Sequence, residues 1–265
     1  MRRHTSWLTL VAPVCLGALL LAAWTLAVAP GTIPRYFLPT PWGVLEELAA
    51  GLISPGDMWP YIGATVLEAV LGSAAGFLIA LPLAVLIYRS RLVSAAVLPF
   101  LGASQAIPAI ALAPLLVLWV GYGLGGIVVL CTLMVFFPIL VSSVVGFRHI
   151  NTDVLGAAQL DGAGSWALLI HMEIPMALHN ILAGTRNGFT LSVTGAVVGE
   201  MVMGGSGLGS LIASQRDSFN TAGMFATILV LATVAAAIYS VVAFAERRWS
   251  RTSSSARSSH VRSRA

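Results

Sequence analysis

The 265-residue sequence contains no lysine and few charged residues of any kind. Charged side chains make up 9% of it and hydrophobic side chains 58%, whereas a soluble domain has roughly 25% and 45–50%. The apolar residues form long blocks, which excludes a coiled coil and a disordered chain. The composition therefore predicts an all-α membrane protein and argues against a free-standing cytosolic enzyme.

The missing lysine and the scarce cysteines exclude several kinds of site. Without lysine the chain cannot contain the ATP-binding pattern Gly-x4-Gly-Lys-[Ser/Thr]. Cys15 and Cys131 each lie within an apolar run, where we expect small packing residues and no disulfide or metal site. The trio Ser165, His171 and Asp161 lacks the strand and sharp turn of a hydrolase nucleophile, so no catalytic residue is predicted.

Six apolar spans are expected, because a hydrocarbon core of about 30 Å takes about 20 residues of helix. Residues 92–147 carry no charge and exceed one crossing, so they fold back once, at the glycine-rich segment 121–126. The predicted spans are residues 7–29, 61–88, the two halves of 92–147, 181–203 and 222–245.

The first span resembles a signal peptide, with Arg2 and Arg3 before it and an Ala-Val-Ala ending. Its apolar stretch is longer than the roughly 7–15 residues of a signal sequence. We therefore expect a retained anchor, with cleavage as the alternative.

The arginines predict the orientation, because the cytoplasmic side holds most positive charge. With the N-terminus inside, inner segments hold eleven arginines and outer segments two, Arg35 and Arg216; Arg186 lies within the fifth span. A single transmembrane domain, 7–246, is thus predicted between two cytoplasmic ends. These are the short N-terminus, residues 1–6, and the basic tail, residues 247–265, which is expected to be disordered. Such a tail beside an apolar block indicates a membrane anchor, not nucleic-acid binding.

Proline marks two features between and within the spans. Pro41 precedes a short interfacial helix predicted over residues 42–52 on the outer side. Pro99, Pro108 and Pro114 interrupt the third span, and such breaks are tolerated only where protein or a water-filled cavity satisfies the freed backbone groups. We expect that span to face a neighbouring helix or a path.

The longest inner connection, residues 148–175, is predicted to form two short helices. Asn151 or a neighbour caps the first, Gly162 ends it, and the second starts near Ser165. Two short helices joined by a glycine elbow on a membrane surface are suited to docking into a soluble partner.

This connection resembles the signature loop of ABC importer permeases, Glu-Ala-Ala-x3-Gly-x9-Ile-x-Leu-Pro. The matching residues are Ala157-Ala158, Gly162 and Met172-Glu173-Ile174-Pro175. Gly156 stands where the family has glutamate, Met172 where it has isoleucine, and Ile174 where it has leucine. In that family the loop forms the coupling helices that insert into the ATP-binding subunits.

The resemblance extends over about residues 38–244. Within the family, the sequence is most similar to the permeases of the nitrate, sulfonate, taurine and bicarbonate branch. Three stretches look closer to permeases for thiamine pyrimidine precursors and riboflavin: 104–105, 119–124 and 195–200. The family resemblance implies the six-helix type I ABC importer permease fold. It also implies three kinds of partner: a second permease chain that forms a homodimer, two ATP-binding cassette subunits that bind ATP and Mg²⁺, and an extracytoplasmic solute-binding protein. No cofactor is expected in this chain.

The resemblance also implies site residues. Those expected to couple to the ATPase are Ala157, Ala158, Asp161, Gly162, Ala163, Trp166 and Pro175. Those considered for the path lining are Gln105, Pro108, Ser192 and Glu200, although Glu200 also fits a structural carboxylate. Glu68 is expected to snorkel at the outer interface.

The expected substrate follows from the resemblance and from charge. Arg186 is expected near the inner surface, which leaves no mid-depth arginine to select an anion. A small heterocyclic vitamin or its pyrimidine precursor is therefore favoured, with a sulfonate, nitrate or taurine-type anion as the alternative.

Two other classes of membrane protein were weighed. An ion-coupled secondary transporter usually shows matched repeats with broken helices, and no clear repeat relates the two halves. An intramembrane protease needs a nucleophile and a base within its spans, and the six predicted spans contain no histidine.

Overall fold

The computed structural model describes residues 5–31, 33–34, 36–53, 58–104 and 108–262, and within them the regular structure is entirely helical. The side chains of residues 5–10, 103–104, 109 and 245–262 lie outside this description. The α-helices are α1 (Thr5–Val28), α2 (Pro41–Ile53), α3 (Trp59–Arg89), α4 (Arg91–Ser104), α5 (Ala109–Val120), α6 (Leu124–Arg148), α7 (Thr152–Leu160), α8 (Ser165–Leu168), α9 (Ile174–Met203), α10 (Leu208–Asp217) and α11 (Thr221–Arg262). A π-helical segment, Leu169–Glu173, joins α8 to α9.

Five of the described helical runs are long and apolar enough to cross a membrane. They contain five of the six predicted spans, those at 7–29, 61–88, 181–203, 222–245 and the second half of 92–147. The remaining span is divided into α4 and α5, of 14 and 12 residues. At 1.5 Å per residue each reaches only about 20 Å, too short to cross alone. Leu101 of α4 belongs to the core cluster around Phe147, and Ala113 of α5 to the cluster around Ile127, so the two helices cover different halves of the bundle.

The three prolines of this predicted span occupy different positions relative to α4 and α5. Pro108 immediately precedes α5 as its N-cap residue, with an extended backbone, and Pro99 and Pro114 lie inside α4 and α5. The predicted helix after Pro41 is confirmed as α2, with Pro41 as its first residue.

Helices α3, α6 and α9 form the core of the bundle, and small residues let their backbones approach closely. A Cβ added at Gly184 of α9 would lie 2.9 Å from the carbonyl oxygen of Pro138 in α6, and one added at Gly188 would lie 3.1 Å from that of Val135. At Gly72 of α3 an added Cβ would collide with Cys131 of α6. Cys131 is therefore a buried packing residue, as expected.

We expect Gly72→Ala to lower the thermal stability of the purified chain in detergent. The added methyl group has no space against the α6 backbone, and overpacking of this kind costs about 1–3 kcal/mol. Gly63→Ala is the matched control on the same helix, because nothing lies within 4 Å of the position of its Cβ. Alanine should be neutral or stabilising there. Equal melting temperatures for the two variants would contradict the close contact of α3 with α6.

One end of the bundle carries the three inner-segment arginines that lie at the junctions between helices. Arg89 ends α3, Arg91 begins α4 and Arg148 ends α6. The guanidinium of Arg148 donates to Ser94 Oγ at 2.9 Å, which ties α6 to α4 at this end. The clustering agrees with the charge bias from which a cytoplasmic location was predicted.

The opposite end is closed by α2 and α10 packed against α11. A buried cluster joins them, with Val44, Met58, Leu208, Ala226 and Val230 at its centre. The α10 helix lies in the segment after the fifth span, where sequence analysis predicted no helix. Its apolar residues Leu208, Leu211 and Ile212 follow the helical period for little more than one turn, which is too short a run to predict a helix from periodicity alone.

Two expectations about helix ends differ from the structure. The second short helix predicted after Ser165 is not separate, because α8, the π-helical segment and α9 run continuously from Ser165 to Met203. The backbone of α11 is helical as far as Arg262, well into the tail for which disorder was expected.

Candidate functional site

The connection between α6 and α9 begins with a well-capped short helix. The side chain of Asn151 accepts a hydrogen bond from the backbone N–H of Asp153 at 2.8 Å, so Asn151 is the cap among the three candidates Asn151, Thr152 and Asp153. Asp153 in the first turn adds negative charge where the helix dipole favours it. These two residues fix the start of α7 just after α6 ends.

The end of α7 is a glycine turn. Gly162 has φ +88°, in the region that only glycine adopts readily. Its N–H donates to the carbonyl of Gln159 at 3.0 Å, and the N–H of Ala163 donates to that of Ala158, also at 3.0 Å. The predicted elbow is thus confirmed, and Gly162 sets the direction in which the chain enters α8.

The connection has a packed side and an exposed side. Leu155 and Leu168 are buried against the inner end of the bundle, and Ala158 and Ala163 pack beside them. On the other side Leu160 is 91% exposed and Trp166 76%. Large apolar side chains held out on a firmly anchored turn are typical of a protein docking surface.

The structure thus brings most of the expected coupling residues to one turn. Exposed residues there are Ala157, Asp161, Gly162 and Trp166, while Ala158 and Ala163 support the turn from beneath. Pro175 is separate from them, directly after the π-helical segment at the start of α9.

An ion pair ties this region to α3. Arg89 donates to Glu173 Oε2 at 2.8 Å and to the carbonyl oxygen of Ser165 at 2.9 Å. The Glu173 side chain is 4% exposed, so its charge depends on this partner. The ring of Tyr88 stacks on Phe147 at 5.2 Å and places its hydroxyl 3.5 Å from Glu173 Oε1.

Sequence analysis missed this ion pair. Arg89 was used only as an indicator of orientation, and Glu173 only as a variable position of the motif. The available signal was an acidic residue before the fifth span and a basic residue after the second, both assigned to the same membrane face.

Two residues considered for the path lining are interior residues. Ser192 is fully buried, accepts a hydrogen bond from Ser73 Oγ at 2.9 Å and donates to the carbonyl of Ala69 at 3.1 Å. Glu200 is 1% exposed and accepts a hydrogen bond from Thr65. Both side chains join α9 to α3 in the interior of this chain. Pro108 is exposed at the start of α5, and Gln105 lies outside the described residues.

The expectations for Glu68 and Arg186 are also corrected. Glu68 does not snorkel, because it is only 4% exposed within the bundle. Arg186 is not at the inner surface: its neighbours along α9, Gly184 and Gly188, pack against Pro138 and Val135 at the middle of α6. Polar residues at 171–180 resemble a loop in the sequence, so the predicted inner end of this span was placed too far along the chain.

A groove with both polar and apolar lining residues runs beside Arg186 between α6, α9 and α11. Its volume is about 580 Å³, and its lining residues are Pro138, Val141, Ser142, Asn187, Thr190, Leu191 and Tyr239. The Arg186 guanidinium lies 5.2 Å from the centre of the Tyr239 ring, in a cation–π contact. Polar side chains at this depth face a protein neighbour or a water-filled cavity and not lipid.

Comparison with known proteins gives one family and several relatives. The family described as binding-protein-dependent transport system inner membrane component matches residues 72–251. The chain is 38% identical over 246 residues to the riboflavin transport system permease protein RibX of Chloroflexus aurantiacus, covering 92% of this chain and 91% of that protein. It is 33% identical to the formylaminopyrimidine transport permease protein ThiX of Halalkalibacterium halodurans, covering 74% and 78%.

A more distant relative and a solved structure agree with this result. The taurine transport system permease protein TauC of Escherichia coli is 29% identical, with 82% of this chain and 81% of that protein covered. The fold is similar to that of a chain of the MetNI methionine ABC transporter in an inward facing conformation, with a TM-score of 0.60, 21% identity and coverage of 81% and 97%. The chain therefore belongs to the family of inner-membrane components of binding-protein-dependent transport systems.

Proposed function

We propose that this ABC importer permease imports a small heterocyclic solute, a thiamine pyrimidine precursor or a riboflavin-like compound. An extracytoplasmic binding protein delivers the solute, and a separate ATPase subunit supplies the energy. The observation that carries the coupling role is the turn around Gly162, which holds Leu160 and Trp166 outward on a packed base.

A single chain supplies one part of the path and no ATP-binding site, so the transporter needs partner subunits. Two permease chains, as a homodimer, surround one path, and two ATP-binding cassette subunits bind ATP and Mg²⁺ and dock on the α7 to α8 turns. This chain holds no cofactor itself. Both termini of this multi-pass plasma-membrane protein lie in the cytoplasm, because the arginine bias favours that side. Reporters active only in the cytoplasm, fused at either end, test the orientation.

The groove beside Arg186 is our candidate for the path surface. Ser142, Asn187 and Thr190 give it a polar lining at mid-depth, which lipid would disfavour. Because the groove is open on the single chain, a second permease chain placed against it would enclose a polar channel between the two. This assignment replaces Ser192 and Glu200, which are buried.

Two observations bear on the substrate: one favours a heterocyclic compound, and the other removes an objection to an anion. The riboflavin and formylaminopyrimidine permeases are 38% and 33% identical to this chain, whereas the taurine permease is 29% identical. The mid-depth position of Arg186 removes the charge argument against an anion. A sulfonate, nitrate or taurine-type anion therefore stays as the second candidate, and similarity to relatives carries the first.

Uptake by the reconstituted transporter tests both candidates. The permease, its ATPase and its binding protein are placed in proteoliposomes, and ATP-dependent uptake of riboflavin and of a formylaminopyrimidine is compared with that of taurine and an alkanesulfonate. We expect uptake of a heterocycle and none of the anions. Uptake of an anion alone would move the assignment to the second candidate, and uptake without ATP would indicate a secondary transporter.

A further inference from the structure

A cavity of about 310 Å³ opens at the inner end of the bundle, where four helices come together. It lies between the last turn of α3, the start of α4, the last turn of α6 and the start of α7. It shares no lining residue with the groove beside Arg186 or with the exposed turn around Gly162. Neither the candidate path nor the candidate coupling surface therefore accounts for it.

Two arginines give this cavity a positive charge. Arg91 of α4 and Arg148 of α6 line it, and the lining residues that the structure describes include no carboxylate. The next acidic residue along the chain is Asp153, directly after the lining residue Thr152. Even with Asp153 included, one positive charge is in excess. Because arginine is always charged in proteins, the cavity attracts anions.

Most of the donors of these two guanidinium groups are unused within the chain. Arg91 has no hydrogen-bond or ion-pair partner in the part of the chain that the structure describes. Arg148 donates to Ser94 Oγ at 2.9 Å, and this bond occupies one of its five N–H groups. The planar guanidinium fork binds phosphate oxygens in pairs, so the free donors suit a phosphate group.

Hydroxyl groups and helix ends add further donors to the cavity. Ser90 Oγ accepts from the backbone N–H of Val93 at 3.3 Å, which leaves the proton of its hydroxyl group available. Thr152 adds a second hydroxyl group from the first turn of α7. Both α4 and α7 begin at this cavity, and the positive ends of their dipoles favour an anion.

The cavity continues into an apolar face that suits acyl chains. Leu92, directly after Arg91, is 80% exposed. Exposed apolar residues follow it at helical spacing along α4, namely Ala96, Pro99 and Phe100. A phosphate held at Arg91 therefore lies at the level of the lipid headgroups, with an apolar surface directed into the bilayer beside it. A free phosphate ion would gain nothing from this surface.

We propose that this cavity binds the phosphate of an anionic phospholipid from the inner leaflet. Arg91 and Arg148 bind the phosphate oxygens, Ser90 and Thr152 donate to them, and the acyl chains lie along α4. Basic pockets between membrane-spanning helices on the cytoplasmic side bind headgroups of this kind. The lipid joins the ends of α3, α4 and α6 to the start of α7, so it stabilises the base of the Gly162 turn.

Thermal unfolding of the full-length chain in a neutral detergent tests the site and the source of the phosphate. The protein is titrated with phosphatidylglycerol, with phosphatidylcholine and with inorganic phosphate. We expect the melting temperature to rise saturably with phosphatidylglycerol and to change little with phosphatidylcholine, which has no net charge, or with inorganic phosphate. An equal rise with inorganic phosphate would show a site for a soluble anion and overturn the lipid assignment.

Arg91→Gln is the sharpest variant, because it removes a charge without breaking a contact within the described chain. Without lipid it should melt at the wild-type temperature. Its affinity for phosphatidylglycerol should fall about fivefold, the contribution of one basic residue near an anionic surface. Arg91→Lys keeps the charge and should lose less. Arg216→Gln is the control, since Arg216 is exposed on α10 at the opposite end, beside Asp217, and its affinity should not change.

Native mass spectrometry gives a readout that does not depend on stability. From an equimolar mixture of the two lipids the wild-type chain should retain phosphatidylglycerol in preference to phosphatidylcholine, and Arg91→Gln should lose that preference. Equal retention of both lipids by the wild-type chain, or an unchanged preference in Arg91→Gln, would refute the site. If Arg91→Gln keeps its lipid and instead fails to copurify with the ATPase subunit, the cavity belongs to the ATPase interface and the proposal is wrong.

Discussion

Gly162→Val abolishes uptake and ATPase stimulation in the assembled transporter, while the chain still inserts into the membrane; this is the largest effect that we expect. With φ at +88°, a β-branched residue at position 162 is strained by roughly 1–2 kcal/mol or more. No heavy atom lies within 4 Å of the position of an added Cβ. The strain therefore acts on the backbone turn and redirects α8 and Trp166, without a clash in the bundle.

Two variants at the same turn serve as controls for this prediction. Gly164 also has free space around it but has φ −71°, which valine adopts easily, so Gly164→Val should retain most of the uptake. Asparagine tolerates positive φ better than other side chains, and Gly162→Asn should keep part of the activity. Uptake at the wild-type rate by Gly162→Val would remove the turn from the mechanism.

The second large effect is expected from Arg89→Met. This substitution leaves the Glu173 carboxylate buried without its cation, and breaking a buried ion pair from one side costs about 3–5 kcal/mol. Arg89 is 35% exposed, so water can reach part of the site and the lower end of that range applies. We expect reduced yield of folded protein and a lowered melting temperature in detergent.

Glu173→Gln tests whether the negative charge of Glu173 or only its hydrogen bond with Arg89 stabilises the fold. The amide oxygen still accepts from Arg89, whose charge is partly solvated, so the loss of stability should be small. Adding Glu173→Gln to Arg89→Met removes the stranded charge and should restore much of the stability. A double variant no more stable than Arg89→Met would show that the Arg89 contact with Ser165, and not the buried carboxylate, determines the effect.

The sequence was sufficient to predict the all-helical class and most of the apolar spans. Long apolar blocks located five continuous spans. Of the three prolines expected to interrupt the third span, Pro108 alone lies between α4 and α5, and Pro99 and Pro114 lie within those helices. The cap at Asn151 and the elbow at Gly162 were also predictable, because both depend on the backbone preferences of single residues. These features are local, and a short window of sequence contains the information for them.

The environments of charged residues were not predictable in the same way. Glu68 and Glu200 are far apart in sequence, and only the packing of the helices shows that both of them are buried. The depth of Arg186 depends on where α9 begins, and polar residues near its inner end concealed that position. Such properties arise from contacts between helices, so hydropathy alone assigned these three residues to the wrong surroundings or left their role open.

The π-helical segment Leu169–Glu173 has a consequence for sequence length. A π-helical turn contains one residue more than an α-helical turn, and in an α-helix each residue advances the chain by about 100° around the axis. The one extra residue of this turn therefore sets the rotation of α8 and the Gly162 turn about the axis of α9. Deleting one residue within the segment would rotate Trp166 and Leu168 together by about 100° about the helix axis, which turns Leu168 away from the core while every helix persists.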